Sequence, residues 1–370
     1  MKLAYRPELD GVRAIAILAV MMFHSYQLTD GWLGVEVFFV LSGFLITTLL
    51  LGEWNSRGTI SLRRFYARRA RRLMPALTVA LTGFLVLSIA INAIHPGFTN
   101  LTDDFRSAGA GLFFVTNVTW VWWKLPAAGV SHLWTLSTEE QFYLVWPVTL
   151  LVLLRISSSR RWLTAVPVLG ALAITAHAVD LGRHNAVWLN VRPDTGTAPL
   201  LVGCACACIL TAPRLKKIVS APGMAVVEAM LACAIPVFLF IGMHVVLNST
   251  DQYLEPLVLL LFALAIAFIL VRMTLVESSA TAGFLRMRGL VAVGRWSYSL
   301  YLWHMILIHA TPWLQLQPQI AELLAVPLAA ASYRFVEVPF LRRKRPTVPP
   351  LPSRIPAPAP AAPVLAATGL

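Results

Sequence analysis

Charged residues are scarce in this chain of 370 residues. Aspartate, glutamate, lysine and arginine make up 13% of it, whereas hydrophobic residues make up 58% and the mean hydropathy is +0.72. So few charges cannot solvate the surface of a soluble protein of this length, which excludes a soluble globular enzyme. The composition instead predicts an all-α polytopic membrane protein.

Cysteine is also rare, and its spacing does not fit a metal site. The four cysteines are Cys204, Cys206, Cys208 and Cys233, and all lie in apolar segments. Zinc sites usually have two to four residues between paired cysteines, whereas only one separates Cys204, Cys206 and Cys208, and such steps scatter side chains around a helix. We therefore expect neither a metal nor a disulfide.

Acidic residues are outnumbered, 17 against 30 basic ones, which gives a net charge of +13. Such an excess would point to nucleic acid in a soluble protein. Here the basic residues fall in the short gaps between apolar runs, so no nucleic-acid partner is expected. By the positive-inside rule these gaps are cytoplasmic, as are both termini.

About ten apolar runs are long enough, or nearly long enough, to span a bilayer. The polar first residues lack the features of a cleavable signal, so the first run is expected to remain in the protein. The Pro/Ala-rich residues 344–370 predict a disordered cytoplasmic tail after a membrane domain at 1–343. The predicted spans are 12–28, 32–52, 76–94, 140–154, 162–180, 197–211, 224–247, 256–272, 290–310 and 320–338.

One further apolar stretch, at 107–123, is not counted as a span. An eleventh span here would move the basic loops between residues 155 and 288 from the cytoplasmic to the outer side, against the positive-inside rule. Its tryptophans, Trp120, Trp122 and Trp123, are typical of a membrane interface. The stretch is therefore expected to be re-entrant or to lie at the outer face.

The first span carries two ionisable residues on one face. Arg13 and His24 are eleven residues apart, which is three helical turns plus about 20°, and about 16 Å along the axis. Ionisable groups inside membranes are rare and usually functional, although a snorkelling arginine and an interfacial histidine would look the same. Glu36 opens the next span only twelve positions after His24, so we expect the two to lie close together.

An arginine-rich segment precedes the third span. Arg64, Arg68 and Arg72 are spaced at i, i+4 and i+8, so a helix would present them on one face, flanked by Arg71. Arg69 of the same segment is a further candidate for ligand binding. Guanidinium groups bind phosphate in a bidentate manner, which favours a phosphate-bearing ligand. The alternative is a topological signal or attraction to anionic lipid.

Two later blocks supply further candidates. The segment 132–147 places two adjacent carboxylates at the mouth of a span, soon after a histidine, and the segment 294–304 ends in a histidine. We expect Glu139 to take part in catalysis. The predicted substrate-binding residues are His132, Trp134, Glu140 and His304.

These blocks, in this order from about residue 5 to residue 343, resemble the acyltransferase-3 family of membrane O-acyltransferases. That family includes bacterial surface-polysaccharide and macrolide acyltransferases. The resemblance implies a multi-pass protein of the bacterial plasma membrane and an acyl-CoA, in particular acetyl-CoA, as co-substrate bound by the arginine segment. It further implies transfer to a hydroxyl of a cell-surface glycan or glycosylated small molecule, with no metal. Where many members carry an arginine and an acid, this chain has Gly196 and Ala198.

The expected mechanism uses His24 as general base, with Glu36 or Glu139 orienting its ring. Arg13 would stabilise the thioester oxyanion or a coenzyme phosphate. Direct attack and an acyl-enzyme on His24, Ser42 or Ser137 both remain open.

Two other functions are compatible with a helical membrane protein. The chain could be a transporter or flippase of a glycan or lipid precursor, or a membrane-embedded sensing or scaffold protein. Transporters more often show paired, broken helices in two related halves, and the sequence has none.

Overall fold

All regular structure in the described part of the chain is helical. The computed structural model describes residues 5–125, 128–156, 161–184, 189–210, 213–239, 252–276 and 279–342, so the predicted tail at 344–370 lies outside it. The helices are α1 Pro7–His24, α2 Gly34–Arg57, α3 Leu62–Ile94, α4 Leu101–Leu112, α5 Thr116–Trp123, α6 Trp134–Ile156, α7 Arg161–Arg183, α8 Ala198–Ile209, α9 Pro213–Val219, α10 Pro222–Val237, α11 Glu255–Leu275, α12 Ala280–Leu285, α13 Arg288–Leu314, α14 Pro318–Ser332 and α15 Val338–Arg342.

Five helical segments of the described chain are long and apolar enough to cross a membrane. A crossing needs about 20 predominantly apolar residues, which these segments supply. Of the other predicted spans, 197–211 corresponds to α8, which has only 12 residues. The predicted span 224–247 begins with α10 and continues into residues outside the described ranges. The five segments are Gly31–Arg57, Leu62–Ile94, Arg161–Arg183, Glu255–Leu275 and Pro318–Leu341.

The stretch at 107–123 falls in two short helices rather than one long one. Helix α4 has 12 residues and α5 has 8, and Phe114 between them has a positive φ of 56° that breaks the helical path. Neither helix is long enough to cross a bilayer. The side-chain amide of Asn117 on α5 donates to Thr138 and Gln141 on α6. These hydrogen bonds hold α5 against α6.

The first helix begins earlier than predicted and packs tightly on α13. It starts at Pro7, a favoured first-turn residue, so Arg13 and His24 lie on one continuous helix. A Cβ on Gly294 of α13 would lie 1.9 Å from the backbone oxygen of Asp10. The absence of a side chain therefore lets the two backbones meet, as small residues do between membrane helices. This contact sets α1 against α13.

Helix α2 packs on α8 in the same way. A Cβ on Gly43 would lie 1.9 Å from the oxygen of Leu200, and one on Gly203 would lie 2.0 Å from the oxygen of Val40. The side chains of the central part of α2, including Phe39 and Phe44, are buried around this contact. Helix α2 also packs on α1, since a Cβ on Gly34 would lie 2.3 Å from the backbone oxygen of Ala16. A cavity forms where α3, α6 and α13 meet these two helices.

Candidate active site

A cavity of about 340 Å³ lies between α1, α2, α3, α6 and α13. Tyr5, Arg6 and Asp10 line one end, and Thr135 and Tyr301 line the other. Its middle wall carries the ionisable and hydroxyl side chains of three predicted motifs, namely Arg13, Ser42, Arg69, Arg72, Glu139 and Tyr143. The fold thus brings together parts of the chain that are far apart in sequence.

Two guanidinium groups of the cavity have no side-chain partner. Arg13 on α1 and Arg72 on α3 are close enough to repel each other electrostatically. Within the described ranges, neither forms an ion pair or a hydrogen bond with another side chain. Asp10 and Glu139 line the same cavity and attract Arg13, but neither forms an ion pair with it in the described structure. Both guanidinium groups thus keep hydrogen-bond donors that an anion could use.

The other predicted donor-binding arginines are placed differently. Arg69 lines the cavity, but its guanidinium forms an ion pair of 2.6 Å with Glu140 and lies 3.7 Å from the ring centre of Tyr143. Arg64 and Arg68 are exposed and do not line the cavity, and Arg68 pairs with Glu53 at 3.5 Å. The prediction of a helical arginine face is confirmed, but only its Arg72 end reaches the cavity.

The Arg69 contact also accounts for the adjacent carboxylates of α6. Glu140 is held by Arg69, which ties the arginine-rich start of α3 to α6. Glu139 faces the cavity and accepts a hydrogen bond of 2.8 Å from the hydroxyl of Ser42. Neighbouring residues on a helix point in different directions, so the two carboxylates have different partners.

The far end of the cavity is closed by hydroxyl groups. The oxygens of Thr135 and Tyr301 are 2.5 Å apart, and Tyr301 donates to the backbone oxygen of His132. The rings of Tyr301 and His132 are 4.9 Å apart between centroids. Tyr301, which lines the cavity, is therefore in direct contact with a histidine.

Three histidines from separate parts of the sequence meet beyond this end. The rings of His24 and His132 each lie 5.1 Å from the ring of His304, measured between centroids. His304 is fully buried, and its Nε2 lies 3.3 Å from Nδ1 of His24. His132 is 4% exposed, and neither of its ring nitrogens has a hydrogen-bond partner in the described structure. The sequence named each of these residues but did not predict that they cluster.

The ring of His24 is not oriented by a carboxylate, contrary to expectation. Its Nδ1 contacts the backbone oxygen of Val20 at 2.9 Å and the ring of His304. Glu139 bonds to Ser42 instead, as described above. Glu36 lines a separate, small cavity together with Glu255, and one of its carboxylate oxygens has no hydrogen-bond partner in the described structure.

The remaining candidate, Trp134, begins α6 and packs edge-on against Phe39 at 6.2 Å between ring centroids. Tyr143, Thr135 and Tyr301 were missed as site residues. All three lie within or directly after the motif blocks, but nothing in the sequence shows which face of a helix borders a cavity.

The loop before α8 gives a structural reason for Gly196, where many family members carry an arginine. A Cβ on Gly196 would lie 2.3 Å from the backbone oxygen of Asn190, so no side chain fits there. Asp194 in the same loop pairs with Arg192 at 2.8 Å. Partial burial would raise the pKa of Asp194, but hydrogen bonds from Arg192 and the backbone bring that pKa below its ordinary value. The loop thus satisfies its own charges.

No cluster of three or more histidine, cysteine or acidic residues in the described part of the chain is arranged to hold a metal ion. The described chain is helical, and its cavity is lined by Arg13, Arg72 and Tyr301, of which Tyr301 contacts the histidine cluster. The family model for the acyltransferase domain matches residues 6–332, which is nearly the whole described chain. The protein belongs to this acyltransferase family of multi-pass membrane proteins.

Two curated relatives show the same likeness. The chain is 32% identical to the peptidoglycan O-acetyltransferase OatA of Listeria monocytogenes over 371 residues, which covers 90% of this chain and 56% of that protein. It is 31% identical to the O-acetyltransferase OatA of Staphylococcus aureus over 363 residues, which covers 92% of this chain and 58% of that protein. The chain thus spans little more than half the length of these relatives. No solved structure matches it significantly.

Proposed function

We propose that this protein is a membrane O-acyltransferase that moves an acetyl group from acetyl-CoA to a hydroxyl of a cell-surface glycan. The observation that carries this proposal is a cavity lined by two guanidinium groups without an ion-pair partner, Arg13 and Arg72, and by Tyr301, which contacts the histidine cluster. A phosphate-bearing acyl donor is an anion with a reactive group at its far end. Family membership supports the same class of reaction.

The donor would bind with its phosphates near Arg72 and Arg13 and its acyl group towards Tyr301. Guanidinium groups hold phosphate through paired hydrogen bonds as well as charge. Arg69 would contribute less, because its charge is already neutralised by Glu140. Glu139 and Ser42 line the path of the donor, and an acyl-enzyme on Ser42 remains an alternative to direct transfer.

His24 is the proposed general base. As the acceptor hydroxyl attacks the thioester carbon, a C–O bond forms and the C–S bond breaks. The hydroxyl proton passes to His24, which then gives it to the departing thiolate. Such catalysis typically contributes 10²–10⁴-fold to the rate. We assign Glu36 no part in orienting this ring, because Nδ1 of His24 contacts Val20 and His304 and Glu36 lines a separate cavity.

The proposed acceptor is a carbohydrate, and peptidoglycan is the first to test because the Listeria relative is a peptidoglycan O-acetyltransferase. The proposed topology has ten spans with both termini in the cytoplasm. In that topology the start of α1 faces the cytoplasm, where coenzyme A is available, and His24 faces the outside, where cell-wall glycans lie. The donor and the acceptor would then approach from opposite sides.

The decisive experiment measures release of coenzyme A thiol by the purified protein, with acetyl-CoA as donor and soluble peptidoglycan fragments as acceptor. We expect acceptor-dependent release that falls by about 10²-fold or more in His24→Ala. His24→Gln should fail equally, because glutamine can form hydrogen bonds but cannot accept the proton. His177→Gln, in a side chain half exposed on α7, is the matched control. Near-normal turnover in His24→Gln would disprove the assignment of the base.

A further inference from the structure

Within the histidine cluster, a polar contact of 3.3 Å joins the rings of His24 and His304. From the sequence, His304 is expected to bind substrate. Helix α13 delivers His304 to α1 because Gly294 lets the two backbones meet ten residues earlier. The His304 ring is completely buried, so its nitrogens have only protein partners and their hydrogen-bonding roles can be read from those partners.

The partners of His304 fix its tautomer. Its Nδ1 lies 2.9 Å from the backbone oxygen of Tyr301 and 3.1 Å from that of Leu300. A carbonyl oxygen can only accept a hydrogen bond, so Nδ1 of His304 carries the hydrogen. In the neutral ring Nε2 then has a free lone pair, and that atom faces His24.

The same reasoning fixes the tautomer of His24. Its Nδ1 lies 2.9 Å from the backbone oxygen of Val20, so Nδ1 carries the hydrogen there as well. That hydrogen is shared between Val20 and Nε2 of His304, 3.3 Å away. The basic atom of neutral His24 is therefore its Nε2, which lies on the opposite side of the ring from these anchors.

We infer that His304 is a positioning residue that holds His24 in the tautomer with a basic Nε2 and stabilises its protonated form. This inference rests on the proposed function, because it requires His24 to act as the base. When Nε2 of His24 takes the proton of the acceptor hydroxyl, its Nδ1–H becomes a stronger donor to the lone pair of His304. A buried, neutral imidazole thus takes the place that a carboxylate holds in the familiar Ser-His-Asp arrangement.

The test compares three replacements of His304 in the purified, full-length protein, with acetyl-CoA and soluble peptidoglycan fragments as substrates. In His304→Gln the side-chain oxygen lies near the position of Nε2 and can still accept the hydrogen bond. His304→Asn reaches only the position of Nδ1, and His304→Leu has no acceptor at all. His309→Asn, five residues further along α13, is the matched control because its ring packs on Phe84 instead.

We expect kcat to fall about tenfold or more in His304→Asn and His304→Leu, which is the size of one lost hydrogen bond to a charged group. The KM for acetyl-CoA should stay the same, since the arginine end of the cavity is untouched. His304→Gln should retain most of the wild-type kcat. In a His24→Ala background His304→Asn should have no further effect, because a positioning residue acts only through its partner.

Two results would overturn the inference. One is an inactive His24→Ala together with full kcat in both His304→Asn and His304→Leu. The other is an equal loss from His304→Asn with and without His24, which would indicate a structural role. Failure of the proposed function itself looks different, since His24→Ala would then be active or the wild-type protein would release no thiol. If His304→Asn does not accumulate, the comparison of His304→Gln with His304→Leu decides the question.

Discussion

Removal of the Arg72 guanidinium should weaken the binding of donors that carry phosphate and leave the binding of phosphate-free donors unchanged. Arg72 lines the cavity and has no side-chain partner in the described chain, so Arg72→Ala breaks no existing ion pair. A hydrogen bond to a charged group contributes about 1.5–3 kcal/mol, which corresponds to a factor of about 10 to 150 in affinity. Because Arg72 is exposed on one side, water competes for it, and we expect the lower end, about tenfold.

The assay is equilibrium binding of acetyl-CoA to the purified protein, supported by the KM for thiol release. Arg72→Lys should retain part of the affinity, because lysine keeps the charge but loses the paired donors. Arg64→Ala is the matched control, since Arg64 is exposed on the same helix outside the cavity. Acetyl-pantetheine, which has no phosphate, should bind equally to the wild type and to Arg72→Ala. An equal loss of affinity for both donors would refute the reasoning.

Two further predictions concern the membrane fold. In a cysteine-free background, a cysteine at Ser220 should be labelled only from the cytoplasm and one at Gln317 only from outside, and the reverse pattern would mean that 107–123 spans. Gly43→Ala should lower the free energy of unfolding by about 1–3 kcal/mol, because its methyl group would meet backbone atoms of α8. Thermal denaturation in detergent measures this, with Gly223→Ala, which has open space around it, as control; equal effects would contradict the packing argument.

The helical class of the protein could be predicted because it depends on composition and on the length of apolar runs, which are local properties. The predicted bounds of the helices were less accurate. Helix α1 begins at Pro7 rather than at residue 12, since hydropathy does not register the polar first turn of a helix. The break at Phe114 could not be foreseen either, because it depends on a backbone conformation that the local sequence does not signal.

The chemistry of the site was predictable in its residue types but not in its pairings. Unusual charges in apolar segments led directly to Arg13 and His24. That Glu140 neutralises Arg69, and that His24 meets His304 rather than Glu36, depends on how distant helices rotate and cross. Those angles follow from close contacts such as Gly294 on Asp10, which no local pattern shows.

The single helix that carries both Arg13 and His24 also fixes the distance between these two residues. The two positions are eleven residues apart, or about 16 Å along the axis, so a donor held at the arginine and reacting at the histidine needs an arm of that length. An acyl phosphate is too short to reach both ends. In the proposed reaction the phosphates of coenzyme A lie at Arg13 and Arg72, and its long pantetheine arm bridges the distance to His24. The acyl group would then react at the opposite end of the helix from the phosphates that hold the donor.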